Sequence, residues 1–177
     1  MLELIKNLWK KENYYPHFSE VTFDALLIVD MQPYFIKELR KGEDDKIIRN
    51  QQHVISFCNR NSIPIIVVEY RRYGKTLSEL TKLAGNAIAA IIQKEFDGGF
   101  SGGELDSILT NLNIKNIFIV GINACYCILS TTRDALYNGY KVVISEDAIS
   151  GRCCHPLDNG MPWFRKKCTV VNIVHQK

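Results

Sequence analysis

The sequence predicts a three-layer α/β/α fold of Rossmann-like type, built on a doubly wound, mainly parallel, six-stranded sheet. Two observations predict it: short apolar runs recur along the chain, and amphipathic helical patterns lie between them. Near-continuous apolar runs are typical of strands that are buried on both faces of a parallel sheet. Strands that alternate with helices imply right-handed crossovers, which place helices on both faces of that sheet.

The size and composition of the chain indicate one globular domain. The chain has 177 residues, of which 46% are hydrophobic and 23% are charged, and both fractions are close to the averages of globular proteins. We divide it into a lead-in segment, residues 1–22, and a single domain, residues 23–177. Residues 2–9 have apolar side chains at helical spacing, which predicts a short amphipathic helix within the lead-in segment.

Several partners and locations are disfavoured by charge and hydropathy. A net charge of +3, spread along the chain, does not indicate a nucleic-acid surface. The apolar runs are far shorter than the roughly 20 residues of a membrane helix. The charged N-terminal residues do not resemble a signal peptide, which favours a cytoplasmic location. In that compartment the six cysteines are expected to be free thiols.

The predicted elements follow one another in regular alternation. Strands are expected at residues 23–30, 63–68, 87–93, 116–121, 142–144 and 169–174, and helices at residues 44–60, 104–112 and 126–137. The third strand has a weak β composition and also fits a helix, but the number of crossovers and the polar Lys94 at its end favour a strand. The glycine-rich residues 98–103 lack the lysine of a P-loop and are interpreted as a flexible turn.

Polar side chains at the ends of these strands are the candidates for chemistry, because ligands of open α/β sheets bind outside the carboxyl ends of the strands. Asp30 ends the first strand and Lys94 ends the third. Cys127 follows the fourth strand and opens a helix. A helix N-terminus and a nearby cation both lower a thiol pKa, so we expect Cys127 to be an activated nucleophile.

The other groups at these strand ends fit roles around that nucleophile. Backbone N–H groups of Asn123 and Cys127 would form an oxyanion hole. Asp30 would carry the proton between the thiol and the leaving amine, while Lys94 would keep Asp30 ionised. Each residue also has a structural interpretation: an aspartate can end a strand, lysines are mostly surface residues, and cysteines are often buried and inert.

In their order, several segments resemble the isochorismatase-like cysteine hydrolases, a family that includes nicotinamidases and carbamoylsarcosine amidohydrolases. The segments are Leu27-Ile28-Val29-Asp30-Met31-Gln32-Pro33-Tyr34-Phe35, Lys94 followed by Phe100, Gly121-Ile122-Asn123-Ala124-Cys125-Tyr126-Cys127-Ile128, Asp134-Ala135, Gly139-Tyr140 and Asp147-Ala148. The resemblance runs from about residue 23 to residue 150. It implies an Asp30–Lys94–Cys127 triad, an acyl-enzyme intermediate and a cis peptide between Ile122 and Asn123.

Departures from the family pattern bear on the substrate. Nicotinamidases carry metal-binding histidines after the second strand, whereas this chain has Tyr70-Arg71-Arg72-Tyr73-Gly74 there and only four scattered histidines. We therefore expect no metal and no other cofactor. True isochorismatases lack the nucleophilic cysteine, so its presence favours hydrolysis of a C–N bond. The wall of the site is expected to include Gln32, Tyr34, Phe35, Phe100 and Tyr126, whose rings and polar tips suit a small planar amide.

The resulting hypothesis is a metal-independent cysteine hydrolase that cleaves an amide or carbamoyl C–N bond of a small molecule through a thioester. One alternative is a binding or scaffold protein of the same fold that lacks turnover. Another is a thiol redox protein that uses Cys125 and Cys127. The oligomeric state stays open: relatives commonly assemble and Trp9 in the lead-in helix suits a homo-oligomer, but a monomer whose helix packs on its own core would show the same pattern.

Overall fold

A six-stranded sheet forms the centre of the computed structural model, which describes residues 15–151 and 160–174. All neighbouring strands are parallel, in the order β3-β2-β1-β4-β5-β6. The strands are Ala25–Val29 (β1), Ile65–Tyr70 (β2), Ile88–Lys94 (β3), Asn116–Ile122 (β4), Lys141–Ser150 (β5) and Thr169–Val171 (β6). The predicted fold class is confirmed, and the ambiguous third segment is a strand. The helix expected at residues 2–9 lies outside the described residues.

Helices connect successive strands. In the described part of the chain they are Pro33–Ile36 (α1), Glu43–Asn61 (α2), Ser78–Ala84 (α3), Glu104–Asn111 (α4), Leu129–Tyr137 (α5) and Met161–Lys167 (α6). The longest, α2, has three acidic residues in its first turn, Glu43, Asp44 and Asp45, where negative charge complements the helix dipole. The short helices α1, α3 and α6 were not predicted, because each is too short to show a clear hydrophobic period.

Two apolar layers hold the helices against the sheet, one on each face. On one face, Leu105 and Leu109 of α4 and Ala135 of α5 pack against the strands. On the other face, α2 and α3 contribute buried side chains such as Val54 and Leu80. Residues on β1 are fully buried, as a central strand covered on both faces requires. This is the three-layer arrangement that the alternating pattern predicted.

Part of the predicted lead-in segment belongs to the packed body. Phe18, in the 3₁₀ turn Phe18–Glu20, is 5% exposed, and its N–H donates to the Asn172 carbonyl oxygen at 2.9 Å. Residues 15–22 therefore contact the domain, and the division at residue 22 stays a prediction. No helix among the described residues is long and apolar enough to cross a membrane.

The sheet changes winding direction between β1 and β4, which are neighbours in the sheet but distant in sequence. At their carboxyl ends Gly121 lies beside Val29 with a φ of 138°, and a Cβ placed on Gly121 would lie 2.1 Å from the Val29 carbonyl oxygen. Glycine is required for an approach this close. Crevices at such switch points are where ligands of doubly wound sheets bind.

Candidate active site

A buried ion pair lies at the switch point. Asp30 directly follows β1, and its Oδ2 atom lies 2.9 Å from Nζ of Lys94, the last residue of β3. Both side chains are almost fully buried. The Asp30 carboxylate interacts with both the Lys94 ammonium group and the Cys127 thiol. It therefore links the cation to the thiol, as a group that accepts the thiol proton has to do.

The ammonium group of Lys94 is well satisfied in its buried position. Besides Asp30, its Nζ donates to the carbonyl oxygens of Phe96 at 3.2 Å and Asp97 at 3.1 Å. It also lies 4.1 Å from the centroid of the Tyr70 ring. These contacts compensate for the lost hydration of the charge. Lys94 is therefore fixed as a cation beside Asp30 and is not the surface lysine of the alternative interpretation.

Cys127 lies on the turn that joins β4 to α5. This turn, Ala124–Ile128, is a π-helical turn, and the expected regular helix begins only at Leu129. Such turns are often found at functional sites. The cysteine is 3% exposed, and its sulfur lies 3.8 Å from Oδ1 of Asp97.

The chain enters this turn through Asn123 in a left-handed conformation, with φ of 64° and ψ of 65°. The peptide between Ile122 and Asn123 is trans, so the expected cis peptide is wrong. The Asn123 N–H donates to no backbone acceptor among the described residues. It remains available for the oxyanion role that the sequence predicted.

The protonation state of Cys127 differs from the expected one. Burial raises the pKa of the thiol, and the negative charge of Asp30 raises it further, against the lowering effect of Lys94. Burial also raises the pKa of Asp30, although Lys94 opposes this. Both shifts work against a preformed thiolate in the resting site. The thiol therefore needs a base at the moment of attack.

A cavity of about 220 Å³ opens over Cys127. Its wall consists of aromatic side chains, one amide and one carboxylate, from Phe35, Tyr70, Tyr73, Asp97, Asn123, Tyr126 and Cys127. Phe35 and Tyr126 were expected in the wall. The rings of Phe35, Tyr70 and Tyr73 lie with centroids 5.0 to 6.2 Å apart and form one continuous aromatic side.

Gln32 supports the wall from behind and does not line the cavity. Its Nε2 donates to the carbonyl oxygens of Tyr70 at 3.0 Å and Gly74 at 2.6 Å, and its Oε1 accepts the Tyr70 N–H at 2.8 Å. The side chain is fully buried. Its amide is thus occupied by the backbone, and Gln32 fixes the loop that carries Tyr73.

Tyr34 and Phe100 are also placed differently from the predicted wall. Tyr34 is 40% exposed and packs on Tyr73 at a centroid distance of 4.4 Å, outside the residues that line the cavity. Phe100 is buried in the apolar layer beneath, 5.8 Å from the Tyr140 ring. Both side chains contribute to the packing around the site, and neither lines the cavity.

Three residues of the cavity were not predicted: Asp97, Tyr70 and Tyr73. The glycine-rich turn that carries Asp97 is not a flexible linker, because Gly99 N–H donates to Thr131 Oγ1 at 3.0 Å. A Cβ on Gly98 would meet Oδ2 of Asp134 at 2.3 Å, so this turn packs tightly on α5. The signal was available in the paired glycines directly after Asp97, which mark a close backbone approach.

Residues 70–74, where nicotinamidases carry metal-binding histidines, have no histidine or carboxylate side chain here. Glu69, near the end of β2, uses one oxygen to accept the Thr76 N–H at 2.7 Å and the other to accept from Gln93 at 2.6 Å. Within residues 15–151 and 160–174, no three His, Cys, Asp or Glu side chains are close enough to hold an ion. Independence from metal stays a prediction.

Comparison with known proteins agrees with this geometry. The family model described as the isochorismatase domain matches residues 24–155. Isochorismatase family protein 1A of Dictyostelium discoideum is 32% identical over 129 residues, which cover 71% of this chain and 62% of that protein. The chain thus spans less than two thirds of the length of that relative.

Solved structures give the same fold. N-carbamoylsarcosine amidase from Thermoplasma acidophilum superposes with a TM-score of 0.73 at 26% identity, covering 88% of this chain and 99% of the amidase. The MAR1 ribonuclease from Caenorhabditis elegans superposes with a TM-score of 0.71 at 25% identity, covering 84% of this chain and 75% of the ribonuclease. The relatives therefore include enzymes that act on different bonds.

Proposed function

The chain belongs to the isochorismatase family, and from that premise we propose that it is a cysteine hydrolase that cleaves an amide or carbamoyl C–N bond of a small molecule. The observation that carries the proposal is the buried Asp30–Lys94 ion pair, at 2.9 Å, in contact with Cys127, which lines a cavity. A buried ion pair is a costly arrangement for stability alone, and burial with a specific charge partner at the base of a cleft is typical of catalytic groups.

The first half of the reaction uses Asp30 as a base. The substrate carbonyl carbon is placed over the sulfur, the thiol proton moves to the Asp30 carboxylate, and the sulfur bonds to the carbon. The carbonyl oxygen gains negative charge and is stabilised by the backbone N–H groups of Asn123 and Cys127. When the C–N bond breaks, the leaving nitrogen takes the proton from Asp30, so ammonia or an amine departs and a thioester remains.

The second half reverses the proton path. A water molecule gives a proton to Asp30 as its oxygen attacks the thioester carbon, and the sulfur leaves and takes that proton back. Lys94 remains a cation throughout and keeps Asp30 able to release the proton in each half. No metal takes part in this scheme, and we propose that the enzyme works without one.

Competing functions make different use of the same residues. A phosphodiester, the kind of substrate that a ribonuclease cleaves, would bring negative charge next to the exposed Asp97 carboxylate, which disfavours it. A redox protein would form a reversible disulfide between Cys125 and Cys127, which a mass measurement with and without reductant would detect. A scaffold protein would bind without turnover.

A screen of small amides and carbamoyl compounds tests the proposal. Ammonia release is measured for the wild type, for Cys127→Ala, and for Cys168→Ala as the matched control at a half-buried cysteine away from the cavity. We expect turnover of at least one compound by the wild type and Cys168→Ala, and none by Cys127→Ala. Turnover that survives Cys127→Ala, or no turnover of any compound, would contradict a cysteine hydrolase. The latter result would favour the scaffold.

A further inference from the structure

The carboxylate of Asp97 has no task in the reaction described above, although it lies at the reacting sulfur. Its Oδ1 is 3.8 Å from Sγ of Cys127, and it is the single charged side chain among the residues that line the cavity. Asp97 differs from Asp30 in its surroundings. Asp30 is buried against Lys94, whereas Asp97 is exposed toward the open side and only its backbone oxygen contacts the lysine.

This second acid works against a thiol nucleophile in the empty site. Burial is the largest cause of the raised pKa of Cys127, and the charges of Asp30 and Asp97 both add to it. Two carboxylates and one ammonium group thus act on the Cys127 sulfur, which leaves an excess of negative charge where a thiolate has to form. A positive group bound at Asp97 would remove that excess.

The aromatic side of the cavity also suits a positive group. The rings of Phe35, Tyr70 and Tyr73 form a continuous wall across the cavity. One face of Tyr70 already contacts a cation, Lys94, and tyrosine faces attract ammonium and guanidinium groups. A carboxylate on one side and ring faces on the other are a typical surrounding for a small organic cation.

We propose that Asp97 selects substrates that carry an ammonium or amidinium group close to the scissile carbonyl, so that the substrate supplies the positive charge that the site lacks. The proposal rests on the proposed hydrolase function and names its substrate class. Sγ of Cys127 and Oδ1 of Asp97 are 3.8 Å apart, so a carbonyl carbon about 3 Å from the sulfur and a cation about 3 Å from the carboxylate lie side by side in the cavity. The cation is therefore one or two carbon atoms away from the carbonyl, as in an amino amide.

Three amides of equal length but different charge test the selection. They are β-alaninamide, which is cationic, butyramide, which is neutral, and succinamate, which is anionic. We expect kcat/KM to fall in that order, with at least about tenfold between the cation and the neutral amide. In Asp97→Asn the ratio of kcat/KM for the cationic amide to kcat/KM for the neutral amide falls to about threefold or less. Glu104→Gln removes an exposed carboxylate from the first turn of α4 and retains the wild-type ratio.

A second measurement does not depend on amide turnover. Cys127 is alkylated with cationic 2-bromoethylamine and, separately, with anionic bromoacetate, and peptide mapping gives the rate for each reagent. Each rate is divided by the rate at which the same reagent alkylates N-acetylcysteine. We expect the cation-to-anion ratio to exceed one by about tenfold and to fall toward one in Asp97→Asn. An unchanged ratio in Asp97→Asn overturns the role of Asp97. Failure of every reagent to modify Cys127 instead overturns the proposed nucleophile.

Discussion

Lys94 Nζ lies 2.9 Å from Asp30 Oδ2 in a setting where neither side chain reaches solvent. The two residues are separated by two strand positions in the sheet, because β2 lies between β1 and β3. The long lysine side chain passes beneath the Tyr70 ring to reach the aspartate. This pair is the foundation of the proposed chemistry and the first target for mutation.

Lys94→Met leaves the Asp30 carboxylate buried without a cation, so we expect a loss of roughly 3 to 5 kcal/mol in the free energy of unfolding. The double variant Asp30→Asn/Lys94→Met removes both charges and should be less destabilised than the single variant. Urea denaturation measures both. Lys46→Met, which breaks an exposed contact with Asp147, should cost less than about 1 kcal/mol. Equal losses in the single and double variants would argue against a coupled pair.

Gln32→Ala removes three hydrogen bonds to the backbone of Tyr70 and Gly74. We expect faster hydrogen exchange in residues 70–76 and a loss of roughly 1 to 3 kcal/mol, because buried backbone groups lose their partners. Gln52→Ala, which breaks one long contact with Glu79 near the surface, serves as the control. Unchanged exchange in residues 70–76 would show that the loop holds its shape without Gln32.

Gly121→Ala places a methyl group against the Val29 carbonyl oxygen at a φ of 138°. The contact with a backbone atom and the disallowed conformation should together cost about 3 kcal/mol or more. Gly102→Ala, where a Cβ meets nothing within 4 Å, should change stability by less than about 0.5 kcal/mol. Thermal unfolding compares the two, and similar midpoints would mean that β1 and β4 do not approach this closely.

Alkaline pH should destabilise the fold through its buried thiols. Burial raises the pKa of Cys58 from 9.0 to about 12, so above pH 9 the unfolded chain releases a proton that the folded chain retains. Stability therefore falls as pH rises, by about 1.4 kcal/mol at pH 10 from this thiol. In Cys58→Ala the decline between pH 8 and pH 10 should be smaller by that amount. An identical decline in both proteins would exclude Cys58 as its source.

The sequence was most informative where one rule connects a sequence pattern with a position in the fold. Apolar runs identified the strands, and the rule that ligands bind at their carboxyl ends singled out Asp30, Lys94 and Cys127. The structure places Asp30 against Lys94 and the cysteine on the turn after β4. Each of these residues lies at or just after the carboxyl end of a strand, so its position could be predicted without knowing the direction of any side chain.

Other features depend on directions and contacts that a linear pattern does not contain. Gln32 directs its amide to the backbone and not to the cavity, and either direction fits the same residue type. Asp97 reaches the sulfur only because Gly98 and Gly99 allow the turn to pack on α5. The raised pKa of Cys127 arises from burial, which outweighs the nearby lysine.

The most direct test of Cys127 as the activated nucleophile is a time course of iodoacetamide labelling with peptide mapping. The account predicts that Cys127, which lines the cavity and has Asp30 beside it as a base, is modified before Cys58 and Cys168, which do not line the cavity. It also predicts that Asp30→Asn slows the labelling of Cys127. Preferential labelling of Cys58 or Cys168, with Cys127 unmodified, would contradict it.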